Sequence, residues 1–302
     1  MSDYGNCWTR PVRLSPEQIE QIERIVQRVP EVIVRVSSPQ SNDFGAIRKH
    51  LDHIARRGEL GLETDFGEVV RGRSVGCRLM EEMDLDLEEY RRRLELTVPS
   101  RRRLPKLVHK IVLSMPQGTP PGGLLAAARG FLREEFGIEH RYAFVLHTDR
   151  AHPYVAVVVK AMSEHGVRLN LKKPTLRRWR LEFARHLREQ NIAANATSRA
   201  MRGEVRESKP KAIYHTERRG ASTRPPRREE PGKLTATRKA LEQRWQAIRA
   251  SLIGQGRQDL AEEVGRFLDA LPPRGTGREQ FARQLSPSVL DGRLENAALS
   301  SP

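Results

Sequence analysis

Cysteine is nearly absent from this chain, with Cys7 and Cys77 the two thiols in 302 residues. That pair supplies neither a disulfide framework nor the spacing of a zinc site, and it fits a reducing compartment. Aromatic residues are only 5% of the sequence, which argues against a surface built from repeated base-stacking rings. No apolar run approaches the roughly 20 residues that a membrane-crossing helix needs. The opening Met-Ser-Asp-Tyr-Gly-Asn has no basic-then-apolar export signal. Acidic residues are in deficit: 38 Asp and Glu stand against 54 Lys and Arg, for a formal charge of +16 and a pI near 10.5. An excess of that size points to a polyanion, with nucleic acid the first candidate. The expectation is a soluble intracellular protein of one large or two small domains.

What is present divides the chain in two. Ser15-Pro16-Glu17-Gln18 has the form of a helix start with a capping box. Ile19, Ile22, Ile25, Val26 and Val29 follow at helical spacing, and Pro30 is expected to stop the helix. Residues 31–36 read as a strand. Asn42-Asp43 caps a second expected helix, whose stripe is Phe44, Ile47, Leu51 and Ile54, with Gly58 at its C-terminal cap. Residues 61–78 read as a glycine-rich polar stretch, 79–94 as a charged helix, and 99–105 as a basic connector. A strand is expected over 107–115, a helix over 124–136, and a strong helix over 174–190 with Leu176, Trp179, Phe183 and Leu187 on its apolar side. Beyond a basic, proline-rich stretch, 234–252 and 259–271 read as a helical pair. The expected fold is α/β (α+β), a sheet covered by helices, followed by a helical C-terminal tail. The expected divisions are an N-terminal helix (1–30), a main domain (31–205), a basic linker (206–232) and a partly ordered tail (233–302).

The organising stretch is Tyr142 to Lys160, two apolar strands joined by a polar turn. The turn displays His147, Asp149 and His152, residue types that bind divalent metals. The same residues also fit an ordinary bend, because aspartate bonds its own backbone in turns. His50 and His53 share one flank of the second helix, where histidines are usually structural or solvated.

The hairpin resembles the third motif of MobA/VirD-like conjugative relaxases, single-strand nicking enzymes of the HUH-endonuclease type found on plasmids and integrative conjugative elements. That motif has the form His-x-Asp-x-x-His-Pro-His-x-His. His147, Asp149, His152 and Pro153 match it, while Tyr154 and Ala156 stand where the family has histidines. Val108 to Thr119, including Ser114, is similar to the second motif. His50 to Leu60 resembles the first motif, with His53 in the place of the usual nucleophilic tyrosine. Leu171 to Arg180, with Asn195 to Gly203, resembles the segment that follows the hairpin.

The resemblance implies an HUH-type domain with a central antiparallel sheet. It also implies a bacterial cytoplasmic protein acting on single-stranded DNA at a transfer origin, with no membrane insertion. A type IV secretion coupling protein and relaxosome accessory proteins would be its partners. His53 and Ser114 are the implied catalytic positions, and a divalent metal, Mg or Mn, would serve an active site. With Tyr154 and Ala156 in ligand positions, His147, Asp149 and His152 remain as a substitute ligand set. Arg177, Arg178, Arg180, Arg199 and Arg202 are candidate DNA contacts. Two readings follow: a nicking enzyme that attaches covalently to DNA, and a catalytically impaired relaxase-fold accessory that binds DNA.

Overall fold

A computed structural model describes residues 13–37, 42–87, 105–137, 139–199, 201–202 and 231–271. The described residues fall into two compact units, one spanning Arg28–Ala196 and the other drawn from Met1–Gln27 and Thr197–Pro302.

The first unit is built on a six-stranded sheet of order β1-β4-β6-β5-β2-β3. Its strands are β1 (Ile33–Ser37), β2 (Leu62–Thr64), β3 (Val69–Val70), β4 (Val108–Ser114), β5 (Tyr142–His147) and β6 (Tyr154–Lys160). Every pairing is antiparallel. Its helices are α2 (Phe44–Ile54), α3 (Val75–Glu82), α4 (Pro121–Phe136) and α5 (Lys173–Glu189). Side chains alternate along a strand, so the central strands β4, β5 and β6 each feed two cores. Ile111, Leu113, Phe144, Val155, Val157 and Val159 pack with α4 and α5. Ala143, Val145, Ala156 and Val158 pack with Ile47 and Leu51 of α2 and Leu79 of α3. That burial on both sides explains why β6 reads as a continuous apolar run, Val155 to Val159, rather than an alternating strand.

The second unit contains α1 (Pro16–Val26), α6 (Pro231–Gly254) and α7 (Gln258–Asp269). Ile22 and Ile25 share one core with Trp245, Val264 and Phe267. Arg257 donates to Glu23 at 2.7 Å. Among the described residues no helix is long and apolar enough to cross a membrane.

Several local expectations hold. The Ser15 hydroxyl accepts from the Gln18 amide while the Gln18 side chain accepts from the Ser15 amide. Asp43 caps α2 through the Ala46 amide. Others need correction. Helix α1 ends at Val26, ahead of Pro30, and Arg28 turns the chain with φ 54°. The polar stretch 61–78 contains the β2–β3 hairpin and the start of α3. Its strands are too short to show a period. Residue Gly58 is not the cap of α2, which is Ala55. The expected helix over 79–94 begins at Val75, and residues 88–94 lie outside the described residues, as do 99–104, most of the proposed linker and the last thirty residues.

His109 of β4 is 6% exposed. Burial, then Lys106, His140 and Arg168, pull its pKa down to about 4. The folded protein therefore refuses a proton that the unfolded chain accepts below about pH 6.5, so this contribution is present above that pH and is lost as pH falls toward 4. Between pH 7 and pH 5, His109 is expected to remove up to about 2 kcal/mol of stability. Urea unfolding at both pH values, compared with His109→Phe, checks this. An unchanged difference in the variant would clear His109.

Candidate functional site

The strand ends that form the β5–β6 hairpin set the site. Register places His147 opposite Tyr154, and Val145 opposite Ala156. Alternation puts His147, Tyr154 and Ala156 on the α2 side of the sheet, where Tyr154 packs against the core that contains Ala156. The Tyr154 ring stacks on the His147 imidazole, with centroids 4.7 Å apart and planes 17° apart. The Arg150 guanidinium stands 5.7 Å from the Tyr154 ring centre. His147 is 2% exposed, and neither ring nitrogen has a hydrogen-bond partner. Burial first, then the charge of Arg56, lowers its pKa and holds the ring neutral, while Asp149 opposes them.

Asp149 lies 3.9 Å from His147 Nδ1, beyond hydrogen-bond reach. Its carboxylate instead receives the Arg56 guanidinium, so the hairpin tip is tied to the turn that follows α2. His152 is exposed. Ser114 is opposite Tyr154 in register, and its hydroxyl donates to the Pro153 carbonyl at 3.1 Å. The Met115 amide reaches the same carbonyl at 3.4 Å. Ser114 therefore fixes the entry to β6.

Helix α2 supplies the other wall. Its Asp52 accepts the Gly76 amide at 2.9 Å. A Cβ at Gly76 would lie 2.6 Å from the same carboxylate, so glycine is what lets α3 approach. His50 is half-buried, and burial followed by the charges of Lys110 and His53 lowers its pKa to about 4. His53 is exposed and bears electrostatically on both His50 and His147. It lines an open depression of about 520 Å³ with Lys49, Asp52, Arg56, Arg57 and Glu59. Arg56 and Arg57 hold left-handed conformations, φ 51° and 58°. Non-glycine residues adopt such angles at a cost of about 1–3 kcal/mol each, and they cluster at functional sites.

The arginines expected to contact DNA fall into two groups, paired and at least partly exposed. Arg178 is engaged by the Glu135 carboxylate through two nitrogens, and Glu135 also accepts the Trp179 Nε1 proton at 2.6 Å. Arg178 is thus a staple between α4 and α5. Arg177 is exposed and Arg180 half-buried, and all three sit on the helix that covers the sheet's other side from His53. Arg202 bonds the Thr197 carbonyl and hydroxyl at 3.2 Å. Arg199 is exposed in the same turn. The cations that do surround His53 were not singled out from sequence. Their signal was Arg-Arg-Gly directly after an amphipathic helix, a place where a left-handed turn is common.

The donor set does not fit a three-histidine metal centre. His147 supplies one buried, unprotonated imidazole. Its same-face neighbours are a stacked phenol and an alanine methyl. Among the described residues no three His, Cys, Asp or Glu side chains converge as ligands, His147, Asp149 and His152 included.

Residues 70–192 match the family described as relaxase, MobA/VirD2-like, nuclease domain. The T-DNA border endonuclease VirD2 of Rhizobium rhizogenes is 26% identical over 188 residues, which span 57% of this chain and 42% of that protein. The chain thus aligns with less than half the length of this curated relative. Among solved structures, a Mn-bound MobM relaxase domain (MOBV; Mob_Pre), bound to plasmid pMV158 oriT DNA, is 14% identical. That match has a TM-score of 0.39 and covers 62% of this chain and 99% of that one. A structure described as the molecular basis of vancomycin resistance transfer in Staphylococcus aureus is 12% identical, with a TM-score of 0.34 over 56% of this chain and 99% of its own.

Proposed function

We propose that this protein binds single-stranded DNA at a transfer origin in bacterial conjugation, and that it does so without efficient metal-dependent nicking; the match of residues 70–192 to the MobA/VirD2-like relaxase nuclease domain supports the DNA-processing role. One observation carries the second half: where a three-imidazole centre would form around His147, Tyr154 and Ala156 stand in its place. A metal polarises the scissile phosphate only if ligands hold it there. The cationic depression beside His53 and the formal charge of +16 support the DNA-binding half. In this role the protein works in the cytoplasm beside relaxosome accessory proteins and a type IV secretion coupling protein.

A second reading keeps catalysis, and the exposure of His53 within that depression favours it. A ring nitrogen of His53 would form a bond to phosphorus, and the 3′-oxygen would leave with the bonding electrons and take up a proton. The DNA 5′ end would remain on the protein as a phosphoramidate.

An adduct assay separates the two. The protein is incubated with labelled origin single strands, with Mg²⁺, Mn²⁺ or chelator, and then denatured. The expected result is no denaturation-resistant shift, alongside salt-sensitive binding to the same strand. A metal-dependent adduct that disappears in His53→Ala would establish the nicking enzyme instead.

A further inference from the structure

We propose that the depression beside His53 is a phosphodiester seat charged by Lys49, Arg56 and Arg57, and that DNA is held there without a divalent cation. This rests on the DNA-binding reading above and goes further in naming the groups and excluding a metal requirement.

The turn that carries the two arginines is held in a costly shape. Arg56 and Arg57 are both left-handed, and Gly58 follows at φ 95°. The Ala55 carbonyl accepts from the Gly58 and Leu60 amides at 3.0 and 2.9 Å, and the Gly58 carbonyl accepts from Gly72 at 3.2 Å. A Cβ at Gly58 would lie 2.1 Å from the Gly72 carbonyl oxygen. Conformations of this kind persist only where the surroundings over-determine them, and these surroundings fix where Arg56 and Arg57 project. The Asp149 carboxylate holds Arg56 through one terminal nitrogen. A guanidinium has five N–H donors, so most of its donors remain for a ligand. Lys49 and Arg57 are exposed, and neither has a hydrogen-bond or ion-pair partner among the described residues.

Two carboxylates share the lining, and they do not act alike. Asp52 is committed to the Gly76 amide, whereas Glu59 is exposed at the rim. Arg150 adds a cation at the hairpin tip, next to Asp149. Cations on a fixed turn suit a phosphate, because guanidinium geometry matches its oxygens. Among the described residues, the His147 imidazole that a metal would need has no companion ligands on its side of the sheet, where Tyr154 stacks on its face and Ala156 offers a methyl.

The test is fluorescence anisotropy on the full chain with the same origin single strand used in the adduct assay, over a salt series, in Mn²⁺ or EDTA. The expected affinity is the same in both within about twofold. Lys49→Glu and Arg57→Glu, both surface changes, are each expected to weaken binding about tenfold, and loss of each phosphate contact should lower the salt slope by about 1. Binding abolished by EDTA and restored by Mn²⁺ would overturn the metal-free seat while leaving DNA binding intact. EDTA-insensitive binding that both reversals leave unchanged would move the seat away from these residues. If the wild-type chain binds no DNA in either buffer, the DNA-binding reading falls and takes the seat with it.

Discussion

Trp179→Ala is expected to lower folding stability by about 3–5 kcal/mol, the range for removing a fully buried large aromatic. The indole is buried to 0% exposure. It meets Phe136 edge-on at 5.3 Å and Phe131 at 6.4 Å, and each such pair adds about 0.5–1.5 kcal/mol beyond the buried area. Its Nε1 proton goes to Glu135, which also receives Arg178. Because α4 and α5 bury the α4/α5 side of β6 through this cluster, the loss would be read as a lower urea midpoint for the whole α/β unit. Arg178→Ala is the comparison. Its side chain is 56% exposed, and exposed ion pairs contribute about 0–1 kcal/mol. A Trp179→Ala loss no larger than that of Arg178→Ala would mean that the aromatic cluster repacks freely.

Gly58→Ala should destabilise by about 2–4 kcal/mol, adding left-handed strain to a backbone collision. The new methyl would lie 2.1 Å from the Gly72 oxygen and 2.3 Å from its carbonyl carbon. Backbone cannot swing aside as a side-chain tip can, so the turn must open. Gly67→Ala is the matched control, since Gly67 also has positive φ, 82°, but nothing lies within 4 Å of its Cβ position. It should show only the conformational part, about 1–2 kcal/mol. Denaturation midpoints of the two variants separate the parts. DNA anisotropy on Gly58→Ala should show weaker binding, as Arg56 and Arg57 lose their direction. Equal midpoints for the two variants would show that the close approach to Gly72 is relieved at little expense.

Much of the architecture is legible in the sequence because burial leaves a period. The stripes of α2 and α5 and the apolar run of β6 are all readable. Caps are local chemistry, so Ser15 and Asp43 are readable as well. The β2–β3 hairpin is not, since strands of three and two residues are shorter than any pattern that could announce them. At the site, His147, His53, Tyr154 and Ala156 can be picked out through their place in a motif. Their relations cannot. That Asp149 faces Arg56 rather than a histidine depends on a contact across 93 residues. That Arg178 is tied to a carboxylate depends on the packing of α4 against α5, while charge alone makes Arg178 and Arg57 look equivalent.

The Asn195 amide donates to the Pro30 carbonyl at 2.8 Å, and the Asn195 carbonyl accepts the Val32 amide at 2.9 Å. Chain therefore enters and leaves the α/β unit at adjoining residues. Segments whose two ends meet are the ones that tolerate being spliced into another domain. Helix α1 precedes this doorway and α6 and α7 follow it, yet all three share one core. In chain order, the sheet unit is a cassette inserted between α1 and α6. Its strands can change or lengthen without altering the sequence order of the helices that flank it.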